Sequence, residues 1–433
     1  MVVRKDFPSQ TQHWARRSRS TTLPSLTLLH AVGIDLDGVA GTVDVTTATV
    51  DGDGTMTNGV DVRNSTGTVT FQQANVSGSN QAGVFIEGVS QFNLGTTGMA
   101  AGDGGTIDDT FDAGILVRNS NVDIRFVTIR DVDGIMGEAE SGDGIVYELT
   151  QVDRFTANID NNTIFDVVDD GIEARLANNG ADLTQGLDLT ITNNQIDSED
   201  HAILVGRPST SVDGFAELVI DNNTLSSVGG RGIRLANSPG QTTVKSLHSN
   251  VVTSGVGGFT FLTGTVFDSD LTMAGFQPVS GGNTVLGSAT SRLTFHGLSF
   301  ADQGNPYEGI LEFDSLQAFM DDTRGISIFQ RPPAPAMDFE LAINGGEINV
   351  ANAAHDFINA VGFRADGFRL TLNNLTVNMN GAAAPAFRLE NNGGTATVLD
   401  GTGNSLVNVP TFKLNEGGIF IGTIDFGGGN TLP

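Results

Sequence analysis

Seven short strings follow one another at nearly even intervals: GVDVRN from Gly59, GVFIEG from Gly83, GILVRN from Gly114, GIVYEL from Gly144, GIEARL from Gly171, AILVGR from Ala202 and GIRLAN from Gly232. Their first residues lie 24, 31, 30, 27, 31 and 30 positions apart. A period in that range marks a repeat architecture, in which each unit buries its apolar face against its neighbours. Between the anchors, runs such as LDLTITNNQI (Leu187 to Ile196) and AELVIDNNTL (Ala216 to Leu225) alternate in period two and are bounded by Gly, Asn and Asp, the pattern of short strands and tight turns. No segment sustains a helical period.

The expected fold class is therefore all-β: a single right-handed parallel β-helix with coils of about 24–31 residues, whose strands pair with the turns above and below at ~4.8 Å. Stacking like on like makes the Ile or Val after each anchor an aliphatic column. It also makes Asn162, Asn194 and Asn223 an amide ladder at a turn, which satisfies polar groups that are expensive to bury alone. The Asn-x-Thr strings there match glycosylation acceptors as well, but the ladder already accounts for them.

Three segments follow. Residues 1–32 read as a disordered leader or N-terminal cap, with basic residues before an apolar patch broken by Pro24, Ser25, Thr27 and His30. Residues 33–254 carry the regular Asn-ladder coils. Residues 255–433 continue the β-helix in a looser repeat that holds most of the 26 phenylalanines, so a Phe-lined core is expected there. A loop excursion is expected near 314–338, where Asp314 to Thr323 suits a helical turn and Pro332, Pro333 and Pro335 cannot donate to a ladder.

The formal charge of −28 argues against a nucleic-acid partner, which needs clustered Lys and Arg. No apolar run reaches the ~20 residues of a membrane span, so membrane insertion is not expected. The chain has no cysteine, which removes disulfides, thiolate nucleophiles and Cys-based zinc sites. Phosphate-binding, H-E-x-x-H and serine-elbow motifs are absent.

The stretch Gly59 to Asn237, above all GGTIDDTFDAGILVRNSNVDIRFVTIRDVDGI from Gly104 to Ile135, resembles the right-handed parallel β-helix repeat proteins. That class contains pectin-acting enzymes, phage tailspikes and bacterial surface proteins, and the likeness is clearest to the long exported or surface type. The resemblance implies an extracellular or cell-surface location. It also implies a role as an adhesive, structural or glycan-contacting scaffold, with a polysaccharide, surface glycan or protein as partner.

The anchors also set a candidate site. Residues immediately before Gly144, Gly171, Ala202 and Gly232 are Asp143, Asp170, His201 and Arg231; one position earlier come Gly142, Asp169, Asp200 and Gly230. Stacking predicts a patch of Asp143, Asp169, Asp170, Asp200, His201 and Arg231, with Glu199 nearby. Carboxylates two coils apart would fall near the ~6.5–9.5 Å of an inverting glycosidase, and crowding would raise one carboxyl pKa as a general acid needs. The order of an Asp, an Asp pair, a His and an Arg on successive coils is similar to the polygalacturonase family, which implies Asp143, Asp169, Asp170, His201 and Arg231 as catalytic candidates. The family's motifs are altered here: Asp200-His201-Ala202 stands for Gly-His-Gly, and Arg231-Gly232-Ile233-Arg234 for Arg-x-Lys. Calcium on Asp169, Asp170 and Asp200 suits hard oxygen ligands, while Asp before Gly is also ordinary turn chemistry. The sequence thus favours a non-enzymatic scaffold, with a polysaccharide hydrolase or lyase as the alternative.

Overall fold

The computed structural model describes residues 2–4, 21–23, 26–29, 33–96, 100, 102–136, 141–177, 184–206, 214–236, 240–255, 257–261, 265–267, 280–287, 293–296, 307–320, 326–329, 337–350, 358–363, 369–379, 387–391, 397–408, 414–417 and 420–432. The described regular elements are all strands. No helix among the described residues is long and apolar enough to cross a membrane. The fold is a parallel β-solenoid. It divides into two compact units, Met1–Glu217 and Leu218–Pro433.

In the first unit each turn gives one strand to each of three parallel sheets. One turn reads Val60–Arg63, Thr68–Phe71 and Ala74–Ser79; the next reads Ala82–Glu87, Gln91–Leu94 and Gly105–Thr110. In the first sheet Val60, Val84, Ile115, Ile145, Ile172 and Ile203 stand in register from turn to turn, all of them buried. This is the aliphatic column expected from the anchor spacing. Glycine holds the anchor position because the turns approach too closely there for a side chain. A Cβ on Gly144 would lie 2.5 Å from the carbonyl oxygen of Gly171, and one on Gly171 would lie 2.7 Å from that of Ala202.

The amide ladder forms at the corner between the second and third sheets. The Asn162 side-chain amide donates to the Asn194 Oδ1 at 3.1 Å, and its backbone N–H donates to the same oxygen at 2.9 Å. Asn194 Nδ2 in turn donates to the Ile159 carbonyl at 2.9 Å. The preceding Asn161 and Asn193 each have φ of 57°, the left-handed conformation that Asn tolerates and that turns the chain. Asp160 beside them is half-buried. Burial raises its carboxyl pKa, but bonds from Asn193, Thr192 and Asn161 and the charge of Arg125 outweigh that and hold it below the usual range.

In the second unit Asn223 donates to Asn250, and Asn250 to Asn283, each side-chain bond at 3.0 Å. These last two amides have no Asn-Asn string to announce them. The segment Asp314–Met320 is not helical: it closes the strand Tyr307–Met320, which pairs in parallel with Met337–Val350. Leu311, Phe313 and Leu316 are buried, with Ser315 at φ 54° as the corner, so period two with one slip prevails over the helical reading. The prolines at 332, 333 and 335 lie outside the described residues, as does most of the 1–32 leader. Phe259 packs on Phe313 with ring centroids 5.2 Å apart, and Phe387 on Phe426 at 5.0 Å.

Replacing Asn194 by Ala strands the buried N–H of Asn162 and the carbonyl of Ile159. Unpaired buried groups cost about 1–3 kcal/mol each, so a loss of about 2–4 kcal/mol is expected in urea denaturation. Gln195→Ala, one position on and exposed, should change stability by less than about 0.5 kcal/mol.

Candidate functional site

The column before the anchors changes character along the first sheet. Ala82 pairs with Ala113, and Ala113 with Asp143; Gly144 then donates to the Asp170 carbonyl, and Gly171 to that of His201. Asp143, Asp170 and His201 therefore stack on successive turns, as the anchors predict. Asp169 and Asp200 form the adjoining column, where the Asp200 N–H donates to the Asp169 carbonyl at 3.1 Å. Glu199 is exposed. Arg231 opens the strand Arg231–Leu235 of the second unit, in register with Gly257.

These acids are not solvated turn residues. Asp143 is 0 % exposed, Asp169 and Asp170 3 %, and His201 5 %. On the same sheet Ala82, Phe85, Ala113, Leu116 and Val146 form a buried apolar cluster, and Asp143 pairs with its Ala113. Phe85 carries the guanidinium of Arg63 4.6 Å and that of Arg118 5.3 Å from its ring centre. Strand alternation puts Phe85, Leu116, Val146, Glu173 and Leu204 in one column, so a glutamate interrupts an otherwise apolar row.

Glu173 and Arg175 are the members that sequence reasoning missed. Both lie in GIEARL, two residues apart and hence on one face of their strand. Glu173 is 0 % exposed, and its carboxylate accepts from Arg175 Nη2. The same Nη2 reaches Asp143 Oδ2 at 3.2 Å, and Nη1 reaches Glu148 Oε1 at 3.3 Å. Glu148 also accepts from Arg118 Nε at 2.5 Å. The run of charge at equivalent outward positions, Arg118, Glu148 and Arg175, could have pointed to Arg175, whereas the equivalents of Glu173 are the apolar Leu116 and Val146.

Each partner sets the charge of the next. Burial pushes the Asp143 carboxyl well above the usual carboxylate range, and the charges of Glu173 and Asp170 add to this while Arg175 opposes it. Burial also raises Asp170, with the His201 contacts pulling the other way. Burial disfavours the charged forms of His201 and Arg175. Asp170 and Asp200 outweigh that for His201, as Glu173, Asp143 and Glu148 do for Arg175, so both are raised. Asp143 spends both oxygens inside the protein: Oδ1 accepts from the Asp170 N–H at 3.0 Å and Oδ2 from Arg175. Carboxylate oxygens of Asp143, Asp170 and Glu173 lie within 4.8 Å of one another, closer than the inverting separation. The Arg175 guanidinium supplies the positive charge within that trio.

The geometry defines a parallel β-solenoid with a buried acid–guanidinium–imidazole cluster on its first sheet. The chain matches no known family model and no curated protein.

Asp143 and His201 both have raised folded pKa values, so each contributes stability that is complete below its unfolded pKa and is lost as pH rises through the folded one. In chelator-containing buffer the wild type should lose stability from about pH 4 upward through the Asp143 titration, with a slope of up to about 1.4 kcal/mol per pH unit for one proton. Asp143→Asn removes the titrating group, at the cost of one of the two hydrogen bonds that Asp143 accepts, and should flatten that slope in a pH series of urea melts.

Proposed function

We propose that this chain is an exported or cell-surface scaffold that contacts a repeating polymer, a polysaccharide or surface glycan, without cleaving it. The observation that supports this most is a polar ladder on the outer face of the second sheet. Asp44, Thr70, Asn93, Asp123, Asn158 and Thr190 stand in register over successive turns, each half-buried. Neighbours on the ladder orient one another: Asn93 Nδ2 donates to Thr70 Oγ1 at 3.0 Å, and Asn158 Nδ2 to Asp123 Oδ1 at 2.9 Å. Carboxylate, hydroxyl and amide groups repeating at the inter-strand spacing of ~4.8 Å suit a ligand with its own repeat of hydroxyl groups. Ordered polar arrays of this kind lose little side-chain entropy on binding.

The buried acids support contact over cleavage. A general acid must reach the leaving oxygen, whereas both Asp143 oxygens are engaged by the protein. One observation favours the enzyme reading instead. The connections at the ends of the acid-bearing strands are long, with residues 133–142 before the strand Asp143–Leu149 and residues 177–186 after Ile172–Leu176. In the preceding coil the corresponding connections are only 111–112 and 119–121. Long connections on a rigid scaffold are where ligand-contacting residues collect.

Affinity electrophoresis in gels carrying acidic or neutral polysaccharides, paired with a reducing-end assay on the same panel with and without calcium, separates the two readings. Retardation by at least one polysaccharide without release of reducing ends is expected. Combined Asn93→Ala, Asn158→Ala and Thr190→Ala should weaken retardation several-fold. Turnover that disappears in Asp170→Ala would replace the scaffold reading with the enzyme one.

A further inference from the structure

Five Asn-x-Ser/Thr strings occur in the chain, beginning at Asn64, Asn75, Asn161, Asn222 and Asn374. The amide ladder accounts for the second asparagine of the pairs Asn161-Asn162 and Asn222-Asn223. Asn162 and Asn223 are buried and bonded to the next turn, and neither begins such a string. The first asparagine of each pair stands elsewhere. Asn64, Asn161, Asn222 and Asn374 have φ of 48°, 57°, 58° and 52°, so four of the five strings start at a left-handed corner of a coil. Asn64, Asn222 and Asn374 are exposed there and Asn161 is half-buried. Asn75 is the exception: it is half-buried within the strand Ala74–Ser79, and its Oδ1 accepts from the Thr106 N–H at 3.2 Å.

We propose that Asn222 is an acceptor for an N-linked glycan, with Asn64 as the second site; this rests on the reading of the chain as exported. Acceptors of this kind lie on surface turns and need a hydroxyl residue two positions on. At both corners that partner is exposed too, as Thr224 and Thr66. The coil itself does not demand the combination. Ser249 and Gly282 take the same corner conformation as Asn222, and Val251 stands in register with Thr224. The other corners are less open. Asn161 Nδ2 donates to Asp160 at 2.8 Å, and Thr376, two residues after Asn374, is half-buried with its hydroxyl 3.1 Å from that of Ser405. Asn64 Nδ2 donates to Asp37 Oδ1 at 3.1 Å in an exposed bond, which ranks it after Asn222. In the transfer, Asn222 Nδ2 gives up one proton and bonds the anomeric carbon of a sugar, whose bond to a lipid-linked diphosphate breaks. The Asn222 backbone N–H goes on donating to the His248 carbonyl at 2.8 Å, so a glycan at this corner leaves the pairing of the coils intact.

The test is to send the full chain, behind an added cleavable signal peptide, through the secretory pathway of a yeast that holds the transferase and its lipid-linked donor. Intact mass before and after peptide-N-glycosidase, with site mapping, is the readout. A glycan on Asn222 in most chains is expected, with little or none on Asn75. Thr224→Ala keeps the corner asparagine and should lose that glycan, as should Asn222→Asp, while Thr224→Ser should retain it. Glycosylated wild type and Thr224→Ala should share one melting temperature. Transfer precedes secretion, so chain retained in the microsomes gives the same readout if little reaches the medium. An unmodified Asn222 would overturn the site, as would modification that persists in Thr224→Ala or a lower melting temperature of the glycosylated form. The added signal peptide supplies export, so these outcomes bear on the acceptor alone; the polymer-contact reading stands or falls on the polysaccharide gels.

Discussion

The backbone amides of the first unit's parallel strands pair chiefly with the neighbouring turn and not with their own, and the other features follow from that exchange. It makes residues 24 to 31 positions apart immediate neighbours. A side chain is therefore surrounded chiefly by its equivalents in adjacent coils. Apolar columns become self-reinforcing, because Val60, Val84, Ile115, Ile145, Ile172 and Ile203 each cover the next. Polar residues gain the same advantage only if donor and acceptor are both present in one side chain. Asparagine meets that condition, which is why it holds the buried corner: its oxygen serves one turn while its nitrogen serves another.

The same rule is unforgiving to charge. Stacking like on like is favourable for Ile and Asn, but it sets carboxylate against carboxylate when an Asp follows an Asp in a column. Where Ala82 and Ala113 give way to Asp143 and Asp170, the fold answers with an arginine from the neighbouring outward column and with a histidine one turn on. The cluster is thus a consequence of register as much as of composition. A one-residue slip of the strand Ile172–Leu176 would turn Glu173 and Arg175 to the opposite face and leave Asp143 without its guanidinium. Breaking a buried ion pair in that way costs about 3–5 kcal/mol, so these charges also hold the coils in register.

What could be read from the sequence follows the range over which each signal acts. The anchors carry the solenoid because glycine and the following Ile or Val answer to a local steric demand that recurs in every coil. From them the stack of Asp143, Asp170 and His201 follows by counting alone. Glu173 and Arg175 were missed because finding them needs strand parity as well as register, together with the knowledge that the outward face is buried at that point. Asn250 and Asn283 were missed because their preceding corner residues are Ser249 and Gly282, which turn the chain as Asn does but leave no repeated string. The helical turn expected at Asp314 failed for a related reason. Ser315 takes the corner conformation there, and a single left-handed residue between two alternating runs looks, in sequence, like a loss of period two.

Burial is the property that separates the possible roles of the acid cluster. Exposed carboxylates at the same positions would be ionised, screened by water and open to a sugar. Buried as Asp143, Asp169, Asp170 and Glu173 are, they depend on a neighbouring positive charge or on a proton to offset the cost of their burial. The Arg175 guanidinium reaches the carboxylates of Asp143, Glu148 and Glu173. Asp170 and Asp200 both reach the Nδ1 of His201, and together they hold that imidazole in its charged form against the cost of its burial.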